Sequence, residues 1–291
     1  MPTLSFSIII PTYRRPQRLA ECLRALAALD YPRERFDVLV MDDAGGMPLG
    51  EVIDPLRERL SVTLLTVPHG GPAAARNAGI VAARGEMLAF TDDDCLPAPG
   101  WLRALAARHA ECPGCLIGGH TLNALSANPY SSASQMLLDA VYAHYNADPD
   151  RARFFASNNL AAPAEELRAL GGFDAVHFAF ASEDRDLCAR WLESGRGMVY
   201  APEALIHHAH RLNLRSFWRQ HLAYGRGAWR FQQALARRGA ASPGMQPVSF
   251  YLHLLRYPFT QAAPFAATRL AALVVLSQVA STLGFALERR A

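Results

Sequence analysis

Short apolar runs alternate along the chain with stretches of helical spacing. The run Phe6-Ser-Ile-Ile-Ile10 has the pattern of a buried strand and ends at Pro11-Thr12-Tyr13-Arg14-Arg15-Pro16. Leu19, Cys22, Leu23, Leu26 and Leu29 then recur at helical spacing, with Pro16 suited to the first turn and Pro32 closing the helix. Phe36–Met41 predicts the next strand and ends in Asp42-Asp43; a short helix over Val52–Leu60 and a strand over Val62–Val67 follow. Pro72 opens and Gly85 stops another helix, and the apolar run Met87–Phe90 stops abruptly at Asp92-Asp93-Asp94. A helix over Trp101–Glu111 comes next. This β-α-β-α-β order predicts a parallel sheet and a nucleotide-binding half, with ligands at the carboxyl ends of the strands.

The pattern weakens over 116–157, where only Ala133–Tyr145 has helical spacing. Helices over Ala164–Leu170 and Glu183–Glu193 follow, the first stopped by Gly171-Gly172 and the second by Gly195. Strands are predicted over Met198–Tyr200 and Ala204–His208. Leu214–Arg238 is a long helical pattern interleaving arginines with aromatic residues, and Leu270–Leu287 is an apolar run without charge. That run is near the lower limit for spanning a bilayer, and Ser277, Gln278, Ser281 and Thr282 weaken it as a span. A helix lying on the membrane, or docked on the remainder of the chain, fits equally well.

Charge sharpens this division. Every one of the 29 basic residues is Arg. From His207 onward 11 arginines face a single acid, Glu288, whereas 1–206 hold 18 arginines against 25 acids. The acidic part suits a cation site. The basic part suits an anionic surface, and with no nucleic-acid motif visible the partner expected is lipid and not nucleic acid. Five cysteines make no disulfide framework, and Cys112-Pro-Gly-Cys115 reads as a loop pair of reduced thiols. No signal peptide is recognised before Ser5, so a cytosolic start is expected.

Three consecutive acids at a strand end repel one another unless positive charge shares the site. A hard divalent cation holding a phosphorylated ligand supplies it. Arg76, one turn into its helix, is placed to reach a phosphate. Asp42 suits a turn position, and no glycine-rich dinucleotide fingerprint is present.

The ordered set Ser7-Ile-Ile-Ile-Pro-Thr-Tyr13, Asp42-Asp43, Gly70-Gly71-Pro-Ala-Ala-Ala-Arg76-Asn77 and Thr91-Asp92-Asp93-Asp94 resembles family 2 glycosyltransferases. So do Asn158-Asn159-Leu160, Gly171-Gly172-Phe173-Asp174, Ser182-Glu183-Asp184-Arg185-Asp186-Leu187 and His208-Ala209-His210-Arg211, over roughly residues 5–230. The resemblance implies a GT-A fold: an α/β, Rossmann-like, mixed but mostly parallel sheet flanked by helices. Residues 1–212 would form the catalytic domain, divided into a nucleotide-binding half (1–115) and an acceptor half (116–212). Residues 213–291 would form a basic, apolar helical extension that associates with membrane. It implies an inverting, metal-dependent transfer from a nucleoside diphosphate sugar, UDP-linked by preference, to a glycan or lipid-linked acceptor. The cell-surface polysaccharide or glycolipid made this way places the enzyme on the inner face of the cell membrane.

By the same resemblance Pro11, Tyr13, Arg15, Asp43, Arg76, Asp92 and Asp93 bind the nucleotide. Asp93 or Asp94, with His208 or His210, holds Mg²⁺ or Mn²⁺. Asp184 is the general base and Glu183 its neighbour. Two other readings remain. A sugar nucleotidyltransferase would carry a basic glycine-rich loop after the first strand, which Pro11–Pro16 is not. A non-catalytic scaffold for nucleotide sugar or membrane has no need of the intact acids and histidines.

Overall fold

The computed structural model describes residues 4–178, 181–240 and 246–291. They fall into two compact units, one built from the described residues of 1–122, 148–179 and 183–209, the other from those of 123–147, 180–182 and 210–291.

The first unit is organised by an eight-stranded sheet in the order β3-β2-β1-β4-β7-β6-β8-β5. Its strands are β1 (Phe6–Thr12), β2 (Phe36–Asp42), β3 (Val62–Thr66), β4 (Met87–Phe90), β5 (Cys95–Pro97), β6 (Leu116–Asn123), β7 (Leu160–Pro163) and β8 (Met198–His208). β1 pairs in parallel with both β2 and β4, and β2 with β3. β7 runs antiparallel to β4 and β6, and β5 antiparallel to β8, so the sheet is mixed. The first strands lie where the apolar runs place them. β1 is buried along its whole length, as a parallel strand covered on both faces must be.

The helices of this unit are α1 (Pro16–Leu26), α2 (Gly50–Ile53), α3 (Gly71–Ala82) and α4 (Trp101–Glu111), with α6 (Ala164–Ala169) and α7 (Glu183–Glu193) later in the chain. The predicted helix over Val52–Leu60 is shorter than its pattern: α2 passes into a 3₁₀ turn, Asp54–Leu56, because Pro55 cannot continue the ladder. The two predicted strands over 198–208 are one continuous strand. Three strands, β5, β6 and β7, were not expected from local pattern. Cys112 and Cys115 are joined as a disulfide, where reduced thiols were expected; their Cα atoms lie 5.6 Å apart, within bridging range.

The antiparallel half of the sheet is pinned by Asn159. Its amide donates to the carbonyls of His120 (3.0 Å) and Ala204 (2.9 Å), and its oxygen accepts from the Trp101 indole (2.9 Å). A Cβ at Gly119 would meet the Ala204 carbonyl at 2.2 Å and the Asn159 amide at 2.4 Å, so only glycine fits there. Asn77 makes a similar clasp. It donates to the Phe173 carbonyl (2.7 Å) and accepts from the Phe173 N–H (2.8 Å), which ties α3 to the loop after α6.

The second unit is helical: α5 (Pro129–Tyr145), α8 (Leu214–Arg237), α9 (Val248–Gln261) and α10 (Pro264–Arg290). Asn128 caps α5, and Asn213 with Ser216 forms a capping box on α8. Ala133, Ala140, Phe217, Leu254, Leu270 and Val274 form its core. α8 and α10 cross on glycine: a Cβ at Gly225 would lie 1.9 Å from the Ser281 carbonyl, and one at Gly284 would lie 2.0 Å from the Leu222 carbonyl.

Replacing Asn159 with Ala leaves the Trp101 indole and the His120 and Ala204 carbonyls without this partner. The expected loss is roughly 2–3 kcal/mol of stability, read as a lower urea midpoint with an unchanged slope.

Candidate active site

The carboxyl ends of β1, β2 and β4 converge, as the parallel register requires, and β8 reaches the same place through its pairing with β5. The register Cys95↔His208 sets His208 beside the acids that follow β4. Its Nε2 lies 3.2 Å from Asp94 Oδ1, and the Ala209 N–H donates to the Asp94 carbonyl (2.8 Å).

The three acids are answered by three arginines. Arg18 donates to Asp94 Oδ2 (2.8 Å), and Arg15 bridges Asp93 (3.2 Å) and Asp94 (3.5 Å). Arg76 donates to Asp92 Oδ1 (2.7 Å). Thr12, at the end of β1, adds a hydroxyl bond to Asp93 (2.8 Å). Asp93 and Asp94 are almost fully buried. Burial pushes Asp93 up to about 6, against Arg15 and Thr12, and the Asp94 charge adds to the rise. Burial opposes a charge on His208, yet the hydrogen bond and charge of Asp94 outweigh it and its pKa is raised.

Arg76 connects this cluster to the second acidic pair. Its other terminal nitrogen donates to Glu183 Oε1 (3.1 Å), at the start of α7. The guanidinium is buried and sits 5.6 Å from the centre of the Phe173 ring. Its Nε has no hydrogen-bond partner among the described residues. The helix reaches this depth because Ala73, Ala75 and Gly79 pack it closely; a Cβ at Gly79 would be 2.5 Å from Ile9. Burial and the Asp184 charge raise the pKa of Glu183, with Arg76 opposing them. Asp184 keeps some exposure and accepts from the Arg185 N–H (2.7 Å); burial is again the largest cause of its raised pKa.

At the end of β2, Asp43 accepts from the N–H groups of Gly70 (2.8 Å) and Gly71 (3.0 Å), so it caps α3. His69 Nδ1 lies 2.9 Å from the same carboxylate, and its ring stacks on Tyr13 at 4.8 Å. Tyr13 and Asp43 are therefore one cluster. Pro11 is a buried β1 residue in register with Met41 and offers no polar side chain. His210 falls in the second unit, where its carbonyl accepts from the Ser131 hydroxyl. Arg18, Thr12 and His69 were not singled out from sequence. Arg18 had a signal: it lies one helical turn after Arg14 and Arg15.

A cation at this site would find Asp94, Cys95 and His208, whose ligand atoms all lie within 4.8 Å of one another. Burial holds the Cys95 thiol protonated, which leaves a carboxylate and an imidazole. That pair of donors fits a divalent cation.

Comparison with known proteins gives the family and the fold. The model for "Glycosyl transferase family 2" matches residues 7–168, and that for "Glycosyl transferase family group 2" matches 89–287. The pre-mycofactocin glycosyltransferase of Mycobacterium tuberculosis is 29% identical over 227 residues, covering 76% of this chain and 46% of its own length. The poly(ribitol-phosphate) beta-N-acetylglucosaminyltransferase TarS of Staphylococcus aureus is 34% identical over 93 residues, 31% of this chain and 16% of its own. The chain thus spans less than half the length of these curated relatives. Among solved structures, the mannosyltransferase PcManGT from Pyrobaculum calidifontis, in complex with GDP-Man and Mn²⁺, has a TM-score of 0.64 at 21% identity and covers 99% of this chain and 79% of its own. TarS 1–349 with UDP-GlcNAc gives 0.57 at 16% identity, covering 98% and 91%. These likenesses show the GT-A fold. With a family model that matches more than half of its residues, Arg76 and Asp92–Asp94 among them, the chain belongs to glycosyl transferase family 2.

Proposed function

We propose that the protein transfers a sugar from a nucleoside diphosphate donor, UDP-linked, to a hydroxyl of a glycan or lipid-linked acceptor, with inversion at the anomeric carbon. The work would be done at the cytoplasmic face of a membrane, in cell-surface polysaccharide or glycolipid synthesis. The observation that carries this reading is the Arg76 bridge. It joins Asp92, in the acid cluster, to Glu183, beside the base, through one buried guanidinium.

In this reading Tyr13 and His69 supply a stacked aromatic surface for the base, and Asp43 fixes its floor by capping α3. Arg15 and Arg18 bring positive charge to the diphosphate. Asp94 and His208 would hold the divalent cation, with Asp93 aligned by Thr12 and Arg15. When bound, that cation neutralises charge developing on the departing diphosphate. Asp184 takes the proton of the acceptor hydroxyl as its oxygen bonds to the anomeric carbon and the bond to the diphosphate breaks. Glu183, held by Arg76, orients that base. A single base opposite the leaving group gives inversion. Relatives and neighbours named as sugar transferases, some with UDP-GlcNAc or GDP-Man bound, support the donor class.

The test is release of nucleoside diphosphate across a panel of UDP- and GDP-sugars, with Mn²⁺ or Mg²⁺ and after chelation. Asp184→Asn is expected to lower turnover about 10²–10⁴-fold while donor binding by calorimetry is kept. Full turnover in that variant would remove Asp184 from the mechanism.

The pH profile carries its own sign. Asp184 acts ionised, so protonation stops the reaction, and its pKa is raised by burial. The acid limb of kcat/KM is therefore expected above the value of about 3.9 for a free aspartate. A limb at or below that value contradicts the assignment.

Lysine at position 76 keeps the charge but cannot hold two carboxylates in a planar fork. Arg76→Lys is expected to lower kcat by roughly tenfold to a hundredfold in a protein that still folds. An unchanged kcat would show that the bridge is not needed for the reaction.

A further inference from the structure

α10 has the length and mean hydropathy (2.0 over its most apolar stretch) to cross a bilayer, yet only 28% of that stretch is buried. The exposed part is ordered. Val275, Val279, Leu283 and Leu287 recur every four residues and are exposed along one side of α10. On α9, Val248, Leu252, Leu255 and Phe259 are exposed at spacings of four, three and four, with Val248 73% exposed. Between the two helices runs an apolar groove of about 610 Å³, lined by residues including Tyr251, Leu254, Leu255, Val275, Val279 and Leu283.

α8 lies against the opposite side of α10. Ser281 donates to the His221 carbonyl (3.1 Å), Trp229 meets Phe285 edge-on at 5.2 Å, and Arg230 pairs with Glu288 at 2.7 Å. At the other end of α10, Phe217 shares a core with Leu270 and Val274. The two helices thus run parallel over most of α10. α8 also carries Arg215, Arg219, Arg226, Arg230 and Arg237, all exposed and, at 100° per residue, within one narrow stripe. An α10 that crossed the bilayer would draw Arg219 and Arg226 into the hydrocarbon, which is costly for arginine.

We propose that α9 and α10 lie in the plane of one leaflet of an anionic phospholipid bilayer. Their apolar ridges enter the acyl boundary, and the α8 arginines meet the phosphates. The dimensions agree. An in-plane helix sinks its apolar face about 5–10 Å, and a packed neighbour lies about 8–10 Å away, which sets α8 at headgroup height. Charge selects the occupant: 11 arginines against one acid over 207–291 complement an anionic surface. The inference deepens the membrane part of the proposed function and rests on that part alone.

The test uses the full chain and vesicles of phosphatidylcholine with or without phosphatidylglycerol. Co-sedimentation is expected with the anionic vesicles and is expected to weaken as salt rises. The double variant Val279→Glu/Leu283→Glu, with its circular dichroism unchanged, should lose binding about tenfold or more. If it fails to fold, Arg215→Gln/Arg219→Gln takes its place and should weaken anionic-vesicle binding and its salt dependence. Insertion is read with Thr260→Cys and Ala291→Cys, one on each side of α10. With protein and membrane-impermeant maleimide both added outside, both positions should label above the wild-type background. Labelling of only one would mean a span and would overturn the proposal. So would unchanged vesicle binding by the Val279→Glu/Leu283→Glu variant, or self-association through this face without vesicle binding. None of these readouts needs sugar transfer, so nucleoside diphosphate release judges the catalytic reading separately.

Discussion

A buried guanidinium between two carboxylates is the constraint on which the catalytic unit depends. Arg76 gives up hydration on every side, and what it receives in return is Asp92, Glu183 and the face of Phe173. Burying a charge is tolerable only where partners of this kind are fixed in advance. Much of the surrounding architecture supplies that fixing. Small residues bring α3 close to β1, the Asn77 clasp holds the Phe173 loop, and Arg190 ties Gly172 to Asp186 on α7. The sequence motifs of the family are, in physical terms, the parts of this one support.

The elements that could be read in advance are those whose pattern is local. β1, β2 and β4 are apolar runs with clear stops, α1 has both periodicity and a terminator, and α3 and α7 have terminators. β5, β6 and β7 had no such signal. β5 has three residues and β7 four, too few for a period, and β6 contains Gly118-Gly119. Those glycines weaken strand propensity but are required by the approach of Phe155 and Asn159. Long-range pairing sets these strands, and nothing in a short window of sequence records it.

The candidate site was legible by residue type and much less so by partner. The three acids demanded positive charge, and a cation was the expected source. Arg15, Arg18 and Arg76 supply it in the chain itself, and Arg76 meets carboxylates where a phosphate was expected. Asp43 likewise caps a helix. Hydrogen-bond partners follow from which strand ends meet, so Thr12 and His69 emerged only with the fold. The choice between His208 and His210 also rested on register, since pairing with Cys95 delivers one of them to Asp94.

The glycine crossing of α8 and α10 has a mechanical consequence. With no room for a methyl group between each glycine backbone and its neighbour's carbonyl, the two helices meet backbone to backbone at this crossing. The arginine row and the apolar ridge are therefore locked in phase, like two rulers riveted at one mark. A side chain larger than glycine's at either crossing point would part the helices and put the arginine row out of step with the apolar ridge.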